Sequence, residues 1–490
     1  MSKTIKQWIG GKWIESKESH RVNNPYDGKS LNEYGIASPE EIESTLQAAA
    51  QAKKPFEKSS RFIRARLLAA MQHKIQARKQ EYIDIIISEA GKPHTLADGE
   101  VTRCLATFQT ASEEATKFVG ETYAMDVDAG GRAFATARIE FFPKGIILAI
   151  TPFNFPLNLV AHKVAPALAV GAPIILKPAP QAPGAAFLLA KIFEEACLDV
   201  NDEFGKEDDL IPSSALQVLF ASNENASLLS KDSRISIISF TGSPSVGWKL
   251  QEIGNKKKVL LELGGNAGVI LASDADLNLA AARSAFGATA YAGQSCISVQ
   301  RIFAVADIYD EFKEKLISEF TKIKSGDPKD KSVIVGPLID AKSKERILSW
   351  IDEAKNAGAK VLVGGDFTGG VLNACLLENV PSDCKLSQEE AFGPVAILEK
   401  VANLQSAIDK VNDSKYGLHA GVFTNHIGNI QRCFDELEVG GVIINEVPTF
   451  RADHMPYGGM KESGIGREGV RYAMEDFCER KTLVIKKSNL

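Results

Sequence analysis

Cys296 lies in the stretch YAGQSCISVQ, residues 291–300, where its neighbours are small or polar. Gly293, Ser295 and Ser298 leave space beside the sulfur atom. A thiol attacks a carbonyl carbon once it is deprotonated, and a helix N-terminus after it or a nearby base would favour that ionisation. A buried apolar site is the usual environment of a free cysteine and is the alternative interpretation.

Two polar residues follow short apolar runs. Glu262, in LLELGGNAG, is flanked by leucines, and burial would raise the pKa of its carboxyl group toward the range of a general base. A strand-end glutamate paired with a lysine or arginine is the alternative. Asn154, in ITPFNFPLN, could donate its amide N–H to an oxyanion, an interaction worth about 3 kcal/mol in a transition state. Taken alone, this stretch is explained more simply by a turn-forming asparagine.

A third stretch, ISFTGSPSVGWKL, runs from a strand-like segment at residues 235–240 into a helix predicted to begin near Pro244. The backbone N–H groups and the dipole of such a helix attract an anion, and the glycines Gly242 and Gly247 permit close approach. A diphosphate would fit this turn. An ordinary strand-turn-helix junction is the alternative, because the usual G-x-G-x-x-G pattern is absent.

The elements that position these residues follow from the periodicity of the apolar residues. Residues 39–122 are predicted to be helical, after the N-cap Ser38. Residues 123–143 contain a Gly-Gly turn and are predicted to form a projecting β-hairpin. Between 144 and 261, apolar runs alternate with helical patterns, which predicts a parallel doubly wound sheet whose ligands gather at the carboxyl ends of the strands.

A second doubly wound α/β unit is predicted for residues 262–460, with a strand at GVIINEV. The fold class is therefore α/β with two such domains, which suits a chain of 490 residues. The tail, residues 470–490, contains KTLVIKK, whose alternating pattern predicts a strand that pairs with the edge of a sheet. The hairpin and the tail each expose strand edges, so we expect both to serve oligomerisation.

Composition and charge exclude several classes of protein. The net charge is only -5 and the basic residues are dispersed, which argues against a nucleic-acid surface or a membrane anchor. Seven scattered cysteines fit reduced thiols better than disulfides or a metal site. The polar N-terminus lacks the apolar core of a signal peptide, and no apolar run approaches the ~20 residues of a membrane span. We expect a cytoplasmic protein with a small-molecule partner.

The motifs occur in an order that resembles the aldehyde dehydrogenase superfamily over nearly the whole chain. The stretches that carry the resemblance are PFNFP with Asn154, LKPAP with Lys177, FTGSPSVG, ELGGN with Glu262, GQSC with Cys296, EEAFGPV at 389–395 and PYGGMKESGIGREG at 456–469.

The resemblance implies a mechanism. Cys296 would attack the aldehyde to give a thiohemiacetal, and Asn154 with the backbone N–H of Cys296 would hold the oxyanion. After hydride transfer to NAD(P), Glu262 would activate the water that hydrolyses the thioester, with Glu468 as a second acid that relays protons. Glu390 resembles the ligand of the nicotinamide ribose, and Phe392 the aromatic residue beside it. The implied cofactor-binding residues are Thr151, Pro152, Phe153, Lys177, Pro180, Gly242, Ser243, Val246, Gly247, Glu390 and Phe392.

The cofactor preference depends on the adenosine end of this site. Lys177 matches the family's lysine near the adenine ribose, but three residues later Pro180 stands where NAD-preferring members often carry a glutamate. A carboxylate there would bind the ribose hydroxyls and repel a 2'-phosphate. Its absence removes a barrier to NADP, so we expect NAD or NADP with a lean to NADP or dual use.

The substrate is predicted to be a short polar or anionic aldehyde, of the lactaldehyde, glyceraldehyde-3-phosphate or phosphonoacetaldehyde type. Arg103 and Arg451 fall where anion-binding members keep arginines, and an arginine fork suits a phosphate, sulfonate or carboxylate. Structural ion pairs are the alternative. Those members often carry a third arginine before the catalytic cysteine, where this chain has Ser295.

Four other functions share part of this pattern. A semialdehyde dehydrogenase differs only in substrate. A CoA-acylating relative usually lacks the general base, and a non-catalytic binding protein would be expected to have lost Cys296 or Glu262, yet both are present. A thiol hydrolase leaves the FTGSPSVG and EEAFGPV motifs unexplained. By the same resemblance we expect a homodimer or homotetramer.

Overall fold

The computed structural model describes residues 4–206 and 208–486. The strands, in chain order, are β1 (Thr4–Ile5), β2 (Gln7–Ile9), β3 (Lys12–Ile14), β4 (Glu18–Asn23), β5 (Ser30–Ile36), β6 (Glu121–Ala124), β7 (Phe134–Pro143), β8 (Ile146–Ile150), β9 (Ile174–Lys177), β10 (Leu216–Val218), β11 (Ile235–Thr241), β12 (Lys258–Glu262), β13 (Ala267–Leu271), β14 (Val299–Val305), β15 (Lys360–Val363), β16 (Phe367–Thr368), β17 (Val371–Leu372), β18 (Cys375–Glu378), β19 (Val395–Val401), β20 (Tyr416–Gly417), β21 (His419–Phe423), β22 (Gly441–Ile444), β23 (Met460–Lys461), β24 (Gly464–Ile465) and β25 (Cys478–Lys486).

The α-helices are α1 (Pro39–Lys58), α2 (Arg61–Ala77), α3 (Lys79–Ala90), α4 (His94–Lys117), α5 (Asn158–Val170), α6 (Gly184–Phe204), α7 (Asn223–Lys231), α8 (Pro244–Gly254), α9 (Leu277–Thr289), α10 (Tyr309–Lys322), α11 (Ala341–Asn356), α12 (Lys385–Gln388), α13 (Leu404–Asn412), α14 (Ile427–Glu436) and α15 (Val470–Asp476). Short 3-10 turns lie at Gly131–Ala133 and Ala290–Gly293.

The first large sheet contains a parallel core in the order β12-β11-β8-β9-β10. The chain runs from β8 through α5 and α6 to β9 and β10, then returns to β11 and β12 on the other side of β8. The order therefore reverses between β8 and β11, and the loops after these two strands diverge and leave a crevice. Asn154 follows β8 and Gly242 follows β11, so both lie at this crevice.

The second large sheet has the order β15-β18-β19-β14-β13-β21-β22, and every neighbouring pair except β15-β18 is parallel. With the first sheet it confirms the predicted α/β class with two doubly wound sheets. Only residues 263–266 connect β12 to β13, so the carboxyl edge of the first sheet faces the amino edge of the second. The expectation that ligands gather at carboxyl ends therefore describes the first sheet alone.

A separate three-stranded sheet joins the predicted hairpin to the tail. β6 and β7 form the hairpin, and β25 pairs antiparallel with β7 from Cys478 to Lys486. The tail strand is thus paired with the hairpin of the same chain. Residues 487–490, the end of the predicted oligomerisation tail, lie outside the described residues.

The helical prediction for residues 39–122 corresponds to α1–α4, which end at Lys117. Ser38 caps α1 as expected, and Glu41 completes a capping box by accepting the backbone N–H of Ser38 at 2.9 Å. The strands β1–β5 were not predicted. In the part of the chain that the structure describes, no helix is long and apolar enough to cross a membrane.

Candidate active site

Cys296 is presented by a strained turn. Tyr291, Ala292 and Gly293 have φ values of 54°, 55° and 66°, and such left-handed conformations are costly for residues other than glycine. The Tyr291 hydroxyl donates to the carbonyl of Ala90 at 2.8 Å and so anchors the turn to the end of α3. The surrounding structure therefore fixes the backbone immediately before Cys296, as expected where a side chain must be held in place.

Cys296 is partly exposed as a residue, whereas the six other cysteines are buried. Burial of the thiol group among its neighbours raises the pKa of Cys296 to about 12. The strand β14 follows, so no helix N-terminus is available to favour ionisation, contrary to one expectation from the sequence. The Tyr457 hydroxyl lies 2.9 Å from Sγ and is the one side chain that hydrogen-bonds it among the described residues.

Glu262 ends β12 and is only 6% exposed. Its Oε2 atom is buried and has no hydrogen-bond partner within the described part of the chain. Burial raises the pKa of this carboxyl group well above its usual range, and the negative charge of Glu468 raises it further. The group is thus a strong proton acceptor with an unused lone pair, which are the properties of a general base.

Glu468, unlike Glu262, is held in its ionised form. Its carboxylate accepts hydrogen bonds from Lys163 Nζ at 3.1 Å and from the Arg451 guanidinium at 3.0 Å. Although burial opposes ionisation, these two cations lower the pKa of Glu468 to about 2. The neighbouring acids Glu262 and Glu468 therefore have pKa values displaced in opposite directions.

Asn154 lies beside Cys296 in the crevice. One N–H of its amide donates to the carbonyl of Gln294 at 3.0 Å, which ties the loop after β8 to the loop that carries Cys296. The second N–H has no assigned acceptor in the described residues and is available to an oxyanion. The structure thus brings Cys296, Glu262 and Asn154, which are distant in sequence, to one cleft.

The cleft has a volume of about 890 Å³ and extends from Cys296 across the ends of β8, β9 and β11. Most of the predicted cofactor residues line it, namely Thr151, Pro152, Phe153, Lys177, Pro180, Gly242, Ser243, Val246, Glu390 and Phe392. Within the described residues, the N-cap Ser243 makes no side-chain hydrogen bond to the N-terminus of α8, which borders the cleft, so this end suits a diphosphate. The size and polarity of the cleft therefore fit a dinucleotide.

Gly247 is placed differently from the other predicted cofactor residues. It lies outside the cleft lining, and a Cβ atom at this position would come within 2.4 Å of Leu263 Cδ2. Gly247 therefore allows α8 to pack on the segment that follows Glu262, and its role in cofactor binding stays a prediction.

Glu390 and Phe392 reach the cleft from the segment before β19. Glu390 accepts the backbone N–H of Gly265 at 3.1 Å, and burial raises the pKa of its carboxyl group to about 7. Phe392 has a φ of 47° and packs edge-to-face on Phe153, with ring centroids 6.0 Å apart. The second sheet thus closes the cleft near Cys296.

The predicted substrate arginines are both engaged with carboxylates. Arg103 donates two hydrogen bonds to Asp453, at 2.7 and 3.2 Å, and Arg451 binds Glu468. This matches the ion-pair alternative that the sequence left open, and the anion-binding role stays a prediction. Ser295 is partly exposed next to Cys296.

Sequence reasoning assigned no role to Tyr457 or Lys163. Tyr457 lies within the quoted PYGG motif, but its contact with the sulfur depends on packing between segments 161 residues apart. Lys163 had a visible signal, since it is a charged residue in the otherwise apolar run LVAHKVAPALAV. A buried lysine in such a helix requires a partner, which here is Glu468.

A cleft at the strand-order reversal, with a cysteine beside its inner end, is typical of a dinucleotide-dependent oxidoreductase that works through a covalent adduct. The chain belongs to the aldehyde dehydrogenase family, whose sequence model matches residues 13–483. It is therefore an enzyme that oxidises an aldehyde to a carboxylic acid with NAD or NADP.

Individual relatives resemble the chain over nearly its whole length. It is 37% identical over 483 residues to the 3-sulfolactaldehyde dehydrogenase of Priestia aryabhattai, covering 98% of this chain and 97% of the relative. It is 36% identical over 479 residues to the lactaldehyde dehydrogenase of Methanococcus maripaludis strain C7, covering 98% and 99%. A crystal structure of NADP-dependent glyceraldehyde-3-phosphate dehydrogenase from Bacillus halodurans C-125, complexed with NADP, matches with a TM-score of 0.93 at 31% identity, covering 99% of this chain and 100% of that chain.

Proposed function

We propose that the enzyme oxidises a short 2-hydroxyaldehyde, of the lactaldehyde type or with an anionic tail, through a thioester on Cys296. The observation that carries the chemistry is the convergence of Cys296, Glu262 and Asn154 on one cleft. The substrate class is supported by the similarity to lactaldehyde and 3-sulfolactaldehyde dehydrogenases over nearly the whole chain.

In the first half of the reaction, the Cys296 thiolate adds to the carbonyl carbon and leaves negative charge on the carbonyl oxygen. The second amide N–H of Asn154 and the backbone N–H of Cys296 hold this oxyanion. The loops after β8, β9 and β11 would hold NAD or NADP, which would supply the acceptor for the hydride that leaves the aldehyde carbon as the thioester forms. Glu390 and Phe392 line the same cleft as Cys296, and by the family resemblance they would hold the nicotinamide ribose there.

In the second half, Glu262 removes a proton from a water molecule, and the hydroxide adds to the acyl carbon. The C–S bond then breaks, which releases the carboxylic acid and restores the Cys296 thiolate. The ionised Glu468 makes Glu262 a stronger base because it disfavours a second negative charge nearby. We propose this electrostatic support as the contribution of Glu468.

The two arginines differ in their access to a substrate. The side chain of Arg103 is 31% exposed, whereas that of Arg451 is 5% exposed. An anionic tail would have to share Arg103 with Asp453. We propose that Arg103 receives the tail, and that Arg451 acts on the catalytic residues instead.

An aldehyde panel tests this proposal. Lactaldehyde, 3-sulfolactaldehyde, glyceraldehyde 3-phosphate and phosphonoacetaldehyde are compared with propanal, which lacks the hydroxyl and the charge, each with NAD and with NADP. We expect a kcat/KM at least about tenfold higher for the preferred polar aldehyde than for propanal, because a site with buried polar groups rejects an analogue that leaves them unpaired. Equal values across the panel would refute the substrate class.

We further propose that the enzyme uses NADP, alone or as well as NAD. Lys177 and Pro180 both line the cleft at the end of β9, and the backbone carbonyl of Pro180 lies 3.1 Å from His20 Nε2. A proline offers no carboxylate to the adenosine ribose, and a lysine close by favours a phosphate.

Pro180→Glu is expected to impair NADP much more than NAD. Two unit charges about 4 Å apart at an effective dielectric near 20 repel by roughly 4 kcal/mol, and screening reduces this. We therefore expect kcat/KM for NADP to fall by at least about tenfold, while the value for NAD stays constant or improves through new ribose hydrogen bonds. Steady-state kinetics with both cofactors measure the ratio.

Pro180→Gln is the matched control, because it removes the proline without adding charge, and its NADP/NAD ratio should stay near that of the parent. Lys177→Ala should weaken NADP more than NAD. Equal effects of Pro180→Glu on both cofactors would show that position 180 does not face the 2'-oxygen.

We propose that the enzyme assembles as a homodimer or a dimer of dimers in the cytoplasm, where its seven unpaired cysteines would stay reduced. Exposed apolar residues on β25 support the assembly, since Leu483 and Ile485 are 47% and 62% exposed. Light scattering on the full chain at micromolar concentration should give at least twice the chain mass, and a monomer would contradict the proposal.

A further inference from the structure

The contact between Tyr457 and Cys296 is not explained by the chemistry described so far. The Tyr457 hydroxyl lies 2.9 Å from Sγ, and the tyrosine is 3% exposed in a small buried cluster with Ile297 and Leu418. A hydroxyl this close to the nucleophile touches the reacting atom itself. Its position therefore affects both the ionisation and the direction of the thiol.

Contacts of the backbone and of the ring hold Tyr457 in place. Its backbone pairs with that of Glu468 through two hydrogen bonds of 2.9 and 2.7 Å. The guanidinium carbon of Arg451 lies 3.8 Å from the ring centroid, and His419 packs edge-on with a centroid distance of 5.0 Å. Arg451 is in turn anchored by Glu468. The hydroxyl is thus fixed toward the sulfur.

The direction of the hydrogen bond follows from the chemistry of its partners. A thiolate has no proton, so it only accepts, and the phenol must donate. Burial raises the pKa of Tyr457 well above its usual value, so the hydroxyl keeps its proton in the working range of pH. The stacked Arg451 cation withdraws charge from the ring, which makes the O–H a better donor.

We propose that Tyr457 is a catalytic residue, whose hydroxyl donates a hydrogen bond to the Cys296 thiolate and thereby promotes its ionisation and orients it. The inference rests on the proposed role of Cys296 as nucleophile. It also helps to account for the reactivity of a thiol that no helix N-terminus follows, since a hydrogen-bond donor stabilises the charged form.

The charged and titratable groups around the sulfur act in two directions. Glu390 and Glu262 oppose thiolate formation, whereas the charge of Arg451 and the hydrogen bond from Tyr457 favour it. His419 faces the ring of Tyr457, not the sulfur, and burial lowers the pKa of its imidazole to about 4, so it is neutral above that pH. Loss of the Tyr457 hydroxyl therefore removes the largest contribution that favours ionisation and raises the pKa of the thiol.

The test is alkylation of the full chain by iodoacetamide as a function of pH, in Tyr457→Phe and in the parent, without aldehyde or cofactor. The six other cysteines are buried, so alkylation reports Cys296, and Cys296→Ala supplies the blank. We expect Tyr457→Phe to react about tenfold more slowly on the rising limb, as its profile moves up by about one pH unit, the size of a hydrogen bond to a charged group. The acidic limb of the pH profile of kcat should likewise move to higher pH.

Tyr309→Phe is the matched control, because it removes a buried hydroxyl that donates to Glu378 away from the cleft. Its alkylation profile should equal that of the parent. Replacement of Tyr457 by 3-fluorotyrosine keeps the hydroxyl and strengthens the donor, so it should move the alkylation profile down. Superimposable profiles for the parent and both Tyr457 variants would overturn the inference. Alkylation needs no turnover. If the parent had no dehydrogenase activity but Tyr457→Phe still shifted the alkylation profile, the hydrogen bond from Tyr457 to Cys296 would be supported and the proposed function would be refuted.

Discussion

Cys296→Ala is expected to lower the rate of aldehyde oxidation by at least on the order of 10⁴-fold, because it removes the atom that forms the covalent adduct. No other thiol can replace it, since the six remaining cysteines are buried. Formation of the reduced nicotinamide, followed by its absorbance at saturating aldehyde and cofactor, measures the loss.

Cofactor binding should survive this change. Cys296 is one of many residues that line the cleft, and most of the predicted cofactor contacts belong to the segments at the ends of β8, β9 and β11. We therefore expect the Kd for NADP, measured by calorimetry, to stay within about twofold of the parent value. Cys433→Ala, which alters a buried cysteine elsewhere, should retain turnover and serves as the control. Retention of a tenth or more of the activity by Cys296→Ala would exclude the covalent mechanism.

The parts of the fold that the sequence predicted are those in which local pattern and tertiary role agree. The strands β8, β9, β11 and β12 are short apolar runs buried on both faces, and helices separate most of them, so they indicate a parallel sheet directly. Asn154, Glu262 and Cys296 were singled out because each stands in a short motif next to a strand or turn, and the structure places all three in the lining of one cleft, whereas their catalytic roles stay predictions. The comparison with known proteins confirms the family that these motifs resemble.

The parts that were missed depend on distant packing. β2 has three residues, and its Gln7 is buried only because its side chain bonds the backbone of Gly35 and Phe220, at 2.6 and 2.7 Å. Nothing within those three residues indicates such partners. The sequence named Glu390 and Phe392, but it did not predict that they reach the cleft from the amino edge of the second sheet, since this orientation follows from how β12 leads into β13 and not from either strand alone.

Glu262→Gln is expected to separate the two halves of the reaction. The amide has nearly the shape of the acid but cannot take a proton from water, so acylation of Cys296 should proceed while deacylation stalls. Rapid mixing should show a burst of about one reduced cofactor per active site, followed by a steady-state rate lower by about 10²-fold or more.

The pH dependence of the parent is a second test of the same assignment. A general base must be deprotonated, and the pKa of Glu262 is raised by burial and by Glu468, so the deacylation rate should increase with pH through that raised value. In Glu262→Gln this limb should disappear, whereas in Glu262→Asp, which keeps a shorter carboxylate, a slower deacylation with a pH-dependent limb should remain.

Stability gives an independent check on Glu262. A carboxyl group whose pKa is raised by folding stabilises the native state fully below its unfolded pKa, and this contribution is lost as the pH rises through the folded value. The neutral glutamine has no such dependence and leaves no buried charge opposite Glu468. Glu262→Gln should therefore be at least as stable as the parent at pH 8 in thermal unfolding, even though it stalls as a thioester. A variant that turned over at the full steady-state rate would show that another group activates the water, and a variant that formed no burst would show that Glu262 is needed before the thioester forms.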